Sequence, residues 1–100
     1  MIRVVNLKNY VERNGEILFK IDRTSPVGNP FYMKSEKERD EVCKKYEEFF
    51  YKKIKEKGNF RNYMILIYKT SLKKDIALGC HCFPKRCHGD VIKNFLEREI

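Results

Sequence analysis

The chain has 100 residues, of which 42% are hydrophobic and 36% charged, a composition that suits one globular α/β domain over residues 1–100 rather than a disordered chain. Its formal net charge of +8 favours phosphate-bearing ligands or nucleic acid as partners, although an ordinary lysine-rich surface would carry the same charge. The sequence has no apolar run close to the roughly 18 residues that a membrane span needs, and no signal-peptide pattern follows Met1. We therefore expect a cytoplasmic protein with reduced cysteines and no membrane partner.

The first third of the chain predicts strands and a loop. Residues 2–7 are rich in β-formers and indicate a strand, which we expect in the centre of the sheet. Residues 9–21 fit a β-hairpin, because Asn14-Gly15 is typical of a two-residue turn between strands. Two prolines and a Gly-Asn pair then indicate an irregular loop over residues 22–31.

The rest of the chain predicts helices around one more strand. Ser35 and Glu38 have the spacing of a capping box, which predicts a long helix that begins at Ser35. Residues 60–72 fit a helix, although their apolar run also fits a buried strand. A strand over residues 75–79 and a helix over residues 90–99 follow. The order of elements indicates a small three-layer α/β fold with a partly parallel, Rossmann-like sheet and an N-terminal β-hairpin.

Three cysteines and two histidines fall within nine residues near the C-terminus, and this cluster allows a metal site. Thiolates and imidazoles are the ligands that zinc prefers, usually four in a tetrahedron. Cys80, Cys82, Cys87 and His88 supply four such groups, and His81 is also available. The spacing differs from that of a zinc ribbon, in which two Cys-x2-Cys pairs lie well apart.

The same segment also fits a nucleophilic or acid–base site. Cys87 and His88 lie just before the predicted C-terminal helix, where an imidazole and a helix N-terminus lower the pKa of a thiol. Cys80 ends the preceding strand, and ligands of open α/β sheets bind beyond the carboxyl ends of strands. Cys80, Cys87, His88 and Asp90 are therefore the candidate catalytic residues.

A third interpretation is purely structural. Cys80 and Cys82 would pack as small apolar residues, and His88 would hydrogen-bond the backbone. Asp90 would be the N-cap of the last helix, and Gly89 would be a turn residue. The cap at Asp90 is compatible with the other two interpretations as well.

Within the loop over residues 22–31, the part from Arg23 to Phe31 is the predicted second half of the site. Glycine lets a backbone approach a ligand closely, and backbone amides with arginine, serine and asparagine side chains bind phosphates or base edges. A loop of this composition is more often an ordinary turn, but it and the Cys/His segment both follow strands and are expected at one edge of the sheet. The candidate ligand-binding residues are Arg23, Ser25, Gly28, Asn29 and Gly89.

The chain also resembles a known family. The residues that carry the resemblance are the strand Arg3–Leu7, the segment Pro26–Phe31 and the signature Cys-x-Cys-x-Pro-x-x-Cys-His-Gly-Asp over residues 80–90. They resemble the domain of unknown function family numbered four-three-two-six, which is found in bacteria, archaea and phages. In that family a tryptophan usually stands where this chain has His81.

A more distant resemblance is to the uncharacterised family numbered four-eight-eight. Asp22–Pro26 is similar to its Asp-x-Arg-x-x-Pro segment, and Cys87-His88 is similar to its Cys-His-Arg, with Gly89 in place of the arginine. Both resemblances imply a small α/β fold in which the two loops form one pocket. Neither implies a reaction.

We therefore expect a small enzyme or ligand-binding domain that takes a nucleotide-like or nucleic-acid-derived anion at a Cys/His pocket. Cys80, Cys87 and His88 would carry the chemistry or polarise the ligand, and the helix that starts near Asp90 would add its dipole. The alternative is a zinc-stabilised module that binds nucleic acid without catalysis. The sequence leaves open which of the two applies.

Overall fold

The computed structural model describes residues 1–99 and contains three strands and three α-helices. The strands are β1 (Ile2–Asn6), β2 (Ile17–Lys20) and β3 (Ile76–Cys80). The helices are α1 (Arg39–Lys53), α2 (Asn59–Ser71) and α3 (His88–Glu99), and short 3-10 turns cover Leu7–Asn9 and Glu36–Glu38. None of the helices in this part of the chain has the length and apolar character that crossing a membrane requires.

The three strands form one parallel sheet in the order β1-β3-β2. Ile2 of β1 and Ile17 of β2 both align with Ile76 of β3. The central strand is therefore β3, and the expectation that the first strand lies in the centre is wrong. All five residues of β3 are buried, as a strand covered on both faces and paired on both edges requires.

The N-terminal hairpin does not form as expected. Asn14 and Gly15 do make a tight turn with positive φ angles of 40° and 76°, but the residues before it form no strand, and β2 pairs in parallel with β3. An ion pair explains the path of the chain, since the Arg3 guanidinium donates two hydrogen bonds of 2.7 Å to the Glu16 carboxylate. This contact and the bond from Tyr10 to Glu16 at 3.0 Å hold the segment across one face of the sheet.

The core lies on the other face of the sheet, where Ile76, Leu78 and Cys80 of β3 belong to one apolar cluster with residues of all three helices. The opposite face carries Ala77 and Gly79, and a side chain at position 79 would collide with Leu7. The sheet is thus flanked by a helical layer on one side and by the irregular segment around residues 7–16 on the other. These features confirm the small α/β class, with a sheet that is parallel throughout.

The three later elements confirm their predictions closely. The ambiguous segment 60–72 is helical as α2, the strand over 75–79 is β3, and the final helix is α3. The capping box at Ser35 is wrong, because the Ser35 side chain makes no cap hydrogen bond and a 3-10 turn precedes α1. Its neighbour Glu36 instead accepts two hydrogen bonds of 2.8 Å from the Arg39 side chain, and this ion pair links the 3-10 turn to the first residue of α1.

Candidate functional site

Two loops leave the same edge of the sheet and line one cleft. The first follows β2 and the second follows β3, and parallel strands present their carboxyl ends at a common edge. The cleft has a volume of about 380 Å³ and is lined by both loops and by the start of α1. His81 of the second loop lies 3.1 Å from the Asp22 carboxylate of the first, so the two loops are in direct contact.

The first loop folds back tightly on itself. A Cβ atom at Gly28 would lie 2.5 Å from the Asp22 carbonyl oxygen and 2.6 Å from the Arg23 Cα, so only glycine fits there. The Ser25 hydroxyl donates a 2.8 Å hydrogen bond to the same carbonyl oxygen. Gly28 and Ser25 therefore shape the loop and do not line the cleft.

Arg23 and Asn29 do line the cleft, but both side chains also hold the loop. The Asn29 side-chain oxygen accepts a 2.9 Å bond from the Phe31 amide, and Arg23 donates to the Phe31 carbonyl at 3.1 Å. The Arg23 guanidinium lies 4.1 Å from the centre of the Tyr32 ring, a cation–π distance. The stacked pair forms part of the cleft wall.

The second loop is fixed by its neighbours on both sides. The Asn6 amide donates to the Phe83 carbonyl at 3.0 Å, and the peptide bond between Phe83 and Pro84 is cis. On the other side, Arg39 of α1 donates to the Arg86 carbonyl at 2.8 Å. The end of β1 and the start of α1 therefore hold this loop in place.

Cys80 and Cys87 form a buried pair at the base of the second loop. Their Sγ atoms are 3.3 Å apart, and the two residues are 1% and 4% exposed. A hydrogen bond from the Cys87 thiol, helped by the backbone amides of Cys82 and Phe83, lowers the pKa of Cys80 against the opposing effect of burial. The shared hydrogen bond and burial together raise the pKa of Cys87, so Cys87 keeps its proton. Cys87 lines the cleft and Cys80 does not.

Cys87 also caps α3, which corrects the role expected of Asp90. The helix begins at His88, and the Gly89 amide donates to the Cys87 Sγ at 3.4 Å. Asp90 is inside the first turn, where its carboxylate accepts from the Cys87 amide at 3.2 Å. The two residues act as the two halves of a capping box in which sulfur takes the place of a hydroxyl. Asp90 and Gly89 do not line the cleft.

Gly89 allows α3 to approach the sheet. A Cβ atom there would lie 2.9 Å from the Ile21 Cδ1 and 3.1 Å from the Val4 Cγ1, closer than packed side chains allow. The structure thus gives Gly89 a role in packing, and its predicted role in ligand binding stays a prediction.

His88 lies between the core and the cleft. Its Nε2 hydrogen-bonds the Ile21 carbonyl, and its ring centre is 5.0 Å from that of Tyr46. Burial lowers its pKa, so the ring is neutral near pH 7. Because a carbonyl only accepts hydrogen bonds, Nε2 carries the proton and Nδ1 carries the basic lone pair.

The four predicted metal ligands are not arranged around a common point. Cys80 and Cys87 face each other, Cys82 packs against the Arg39 guanidinium, and His88 engages the Ile21 carbonyl. Within residues 1–99, no group of three or more His, Cys, Asp or Glu side chains is placed to hold a metal ion. A zinc ion would require these side chains to rearrange.

Several cleft residues were not foreseen as site residues. Arg39 and Cys43 come from the first turns of α1, and Tyr32 follows the first loop. Nothing in the local sequence around Arg39 distinguishes it from the other cations of a basic chain. Asp22 did carry a signal, since it directly follows Ile21, the last apolar residue before the first loop.

The cleft carries excess positive charge. Three guanidinium groups line it, those of Arg23, Arg39 and Arg86, against the single carboxylate of Asp22. Arg39 is paired with Glu36, and Arg86 lies 3.1 Å from the Asp40 carboxylate. The Arg86–Asp40 pair is exposed to water and therefore weak, so Arg86 is available to an incoming anion.

Comparison with known proteins gives one match. No curated protein and no solved structure matches the chain. The model of a family described as a domain of unknown function, DUF4326, matches residues 5–98, which include both loops, the buried cysteine pair, α1, α2 and all but the last residue of α3. The chain belongs to the DUF4326 family.

Proposed function

We propose that the cleft binds a nucleotide-like or nucleic-acid-derived anion in the reducing environment of the cytoplasm. The observation that carries the proposal is the set of three arginines, Arg23, Arg39 and Arg86, lining one cleft with two aromatic residues. Guanidinium groups bind phosphate through paired hydrogen bonds, and a formal net charge of +8 attracts anions from a distance.

The aromatic residues supply a surface for a base. Tyr32 is 75% exposed and stacks with Arg23, and Phe31 lines the same cleft. Bases stack on aromatic rings and on guanidinium planes without regard to sequence. A volume of about 380 Å³ is at the small end of the range for ligand pockets and suits one nucleotide unit.

His88 gives the cleft wall a basic group. A neutral imidazole with a free Nδ1 lone pair is a general base when a ligand proton comes within hydrogen-bonding distance. Cys87 lines the cleft beside His88, but its single thiol proton is engaged in the hydrogen bond to Cys80. The arrangement therefore supports ligand binding as the main function. If a bound ligand reacts in the cleft, His88 is the residue that would accept its proton.

The proposal is tested by titrating the protein with nucleoside monophosphates and short single-stranded RNA at low salt, followed by NMR and calorimetry. We expect saturable shifts of cleft residues. Arg86→Gln removes a phosphate contact and should weaken binding roughly tenfold, the effect of losing one charge-assisted hydrogen bond of about 1.4 kcal/mol. Arg61→Gln is the matched control, because Arg61 lies on α2, which contributes no residue to the cleft.

Two results would contradict the proposal. One is the absence of any shift in cleft residues at millimolar nucleotide. The other is an equal loss of affinity in Arg86→Gln and Arg61→Gln, which would mean that the overall field of the chain, and not the cleft, attracts the anion.

A further inference from the structure

The buried cysteine pair is close enough for disulfide chemistry. The Sγ atoms of Cys80 and Cys87 are 3.3 Å apart, and a disulfide bond is about 2.05 Å long. The sulfurs therefore need to approach by roughly 1.3 Å, a distance that small rotations about the side-chain bonds supply. Nothing in the proposed anion binding makes use of this proximity.

Each cysteine of the pair is anchored by regular structure. Cys80 is the last residue of β3 and aligns with Asn6 of β1 in the parallel sheet. Cys87 directly precedes α3 and caps it, because its amide donates to Asp90 and its sulfur accepts from the Gly89 amide. The loop between them is tied down at Phe83 and at Arg86. The two sulfurs are thus held together by the fold and do not meet by chance.

We propose that Cys80 and Cys87 are an oxidisable dithiol, which hydrogen peroxide converts into a reversible intramolecular disulfide. Peroxide is nearly as small as water and reaches the pair through the cleft, because Cys87 lines it. The short loop between the cysteines keeps the resolving thiol beside the oxidised one. Rapid closure of the disulfide then protects the sulfur from further oxidation.

The reaction balances with peroxide as the two-electron acceptor. The first thiol loses its proton and attacks one peroxide oxygen, which forms an S–O bond, breaks the O–O bond and releases hydroxide. The second thiol loses its proton, attacks the sulfenic sulfur and displaces the second oxygen as hydroxide. The two protons convert both hydroxides into water. A dithiol reductant restores the two thiols by thiol–disulfide exchange.

The disulfide would change the wall of the cleft. Cys87 would lose the proton that it shares with Cys80, and its sulfur would move toward β3 and away from the Gly89 amide. The adjacent His88 belongs to the same helical turn. The formation of the disulfide does not depend on which ligand the cleft binds. The disulfide proposal can therefore be correct even if the anion-binding proposal is wrong.

The test treats the folded, reduced protein with hydrogen peroxide, then quenches with acid, unfolds the chain and alkylates the free thiols. We expect two of the four thiols to become unreactive, peptide mapping to show a Cys80–Cys87 disulfide, and dithiothreitol to restore all four. Cys82→Ser and Cys43→Ser are the controls that should still form the disulfide. Cys87→Ser should not form it, and its serine hydroxyl still caps α3.

Three results would overturn the proposal. The first is four alkylatable thiols after an exposure that consumes an equal concentration of glutathione. The second is a disulfide that maps to Cys82 or links two chains. The third is conversion to sulfinic acid without a disulfide. Should Cys87→Ser fail to fold, mapping in the wild-type protein and in Cys82→Ser decides the question alone.

Discussion

At the scale of single residues, His88 joins the candidate site to the core. Its Nε2 binds the Ile21 carbonyl at the end of β2, and its ring packs against Tyr46, whose hydroxyl donates to the Val27 carbonyl at 2.6 Å. One imidazole therefore positions both the first loop and the cleft wall. A substitution at His88 affects folding as well as binding, and an alanine variant alone would not separate the two effects.

The first prediction concerns pH. Burial holds the pKa of His88 below its ordinary value of 6.5, so in acid the unfolded chain binds a proton here that the folded chain does not. The contribution to stability is fully present above pH 6.5 and is lost as the pH falls below it. We expect the free energy of unfolding, measured with urea between about pH 5 and pH 8, to decrease toward the acid end.

His88→Gln isolates this contribution, because glutamine keeps a donor for the Ile21 carbonyl but does not titrate. The variant should be less stable than the wild type near neutral pH, and its stability should fall less steeply on acidification. Equal slopes in the two proteins would mean that His88 is not held neutral in the folded chain.

At the scale of elements, the two predicted helix starts are stabilised in different ways. Ser35 makes no side-chain bond, and the Glu36–Arg39 ion pair organises the turn before α1. At α3 the capping box is real, but its members are Cys87 and Asp90. Side-chain oxygen and sulfur acceptors stabilise a helix only where they reach its free amides.

The second prediction compares these two starts. Ser35→Ala should change the free energy of unfolding by less than about 0.5 kcal/mol, the usual range for a surface position without a special contact. Asp90→Ala should lower it by about 1 kcal/mol, because the Cys87 amide loses its acceptor. Chemical denaturation measures both. An equal cost at the two positions would show that Ser35 caps its helix in solution.

The sequence predicted an element correctly where the contacts that determine the element lie within one segment of the chain, and incorrectly where those contacts join distant segments. The helix at residues 60–72 and the strand after it follow from apolar spacing within one segment, and the common edge for the two loops follows from parallel strands. The hairpin failed because the partner of β2 is β3, which lies far along the chain. Arg39 was missed because its role depends on Arg86, a residue on another element.

At the scale of the whole molecule, the fold rests on one apolar cluster. Tyr46 and Phe50 of α1, Met64 and Ile67 of α2 and the inner residues of α3 are buried together against the sheet. Cys80 and Cys87 belong to this cluster as small buried side chains. A core of this kind stabilises a chain of 100 residues through apolar burial.

The third prediction is that this protein folds without zinc. For Cys80, Cys82, Cys87 and His88 to bind one ion, their side chains would have to move, because within residues 1–99 no group of three or more His, Cys, Asp or Glu side chains is placed to hold a metal. We expect elemental analysis of the reduced protein to find far less than one zinc per chain, and chelation to leave the thermal midpoint unchanged. Cys82→Ser should match the wild type in both measurements, since Cys82 is half-buried and outside the cysteine pair.

The opposite result would establish the zinc-stabilised module. In that case the wild type would contain one zinc per chain and would unfold when a chelator removes it, because structural zinc contributes its binding energy directly to folding. Cys82→Ser would then contain no zinc.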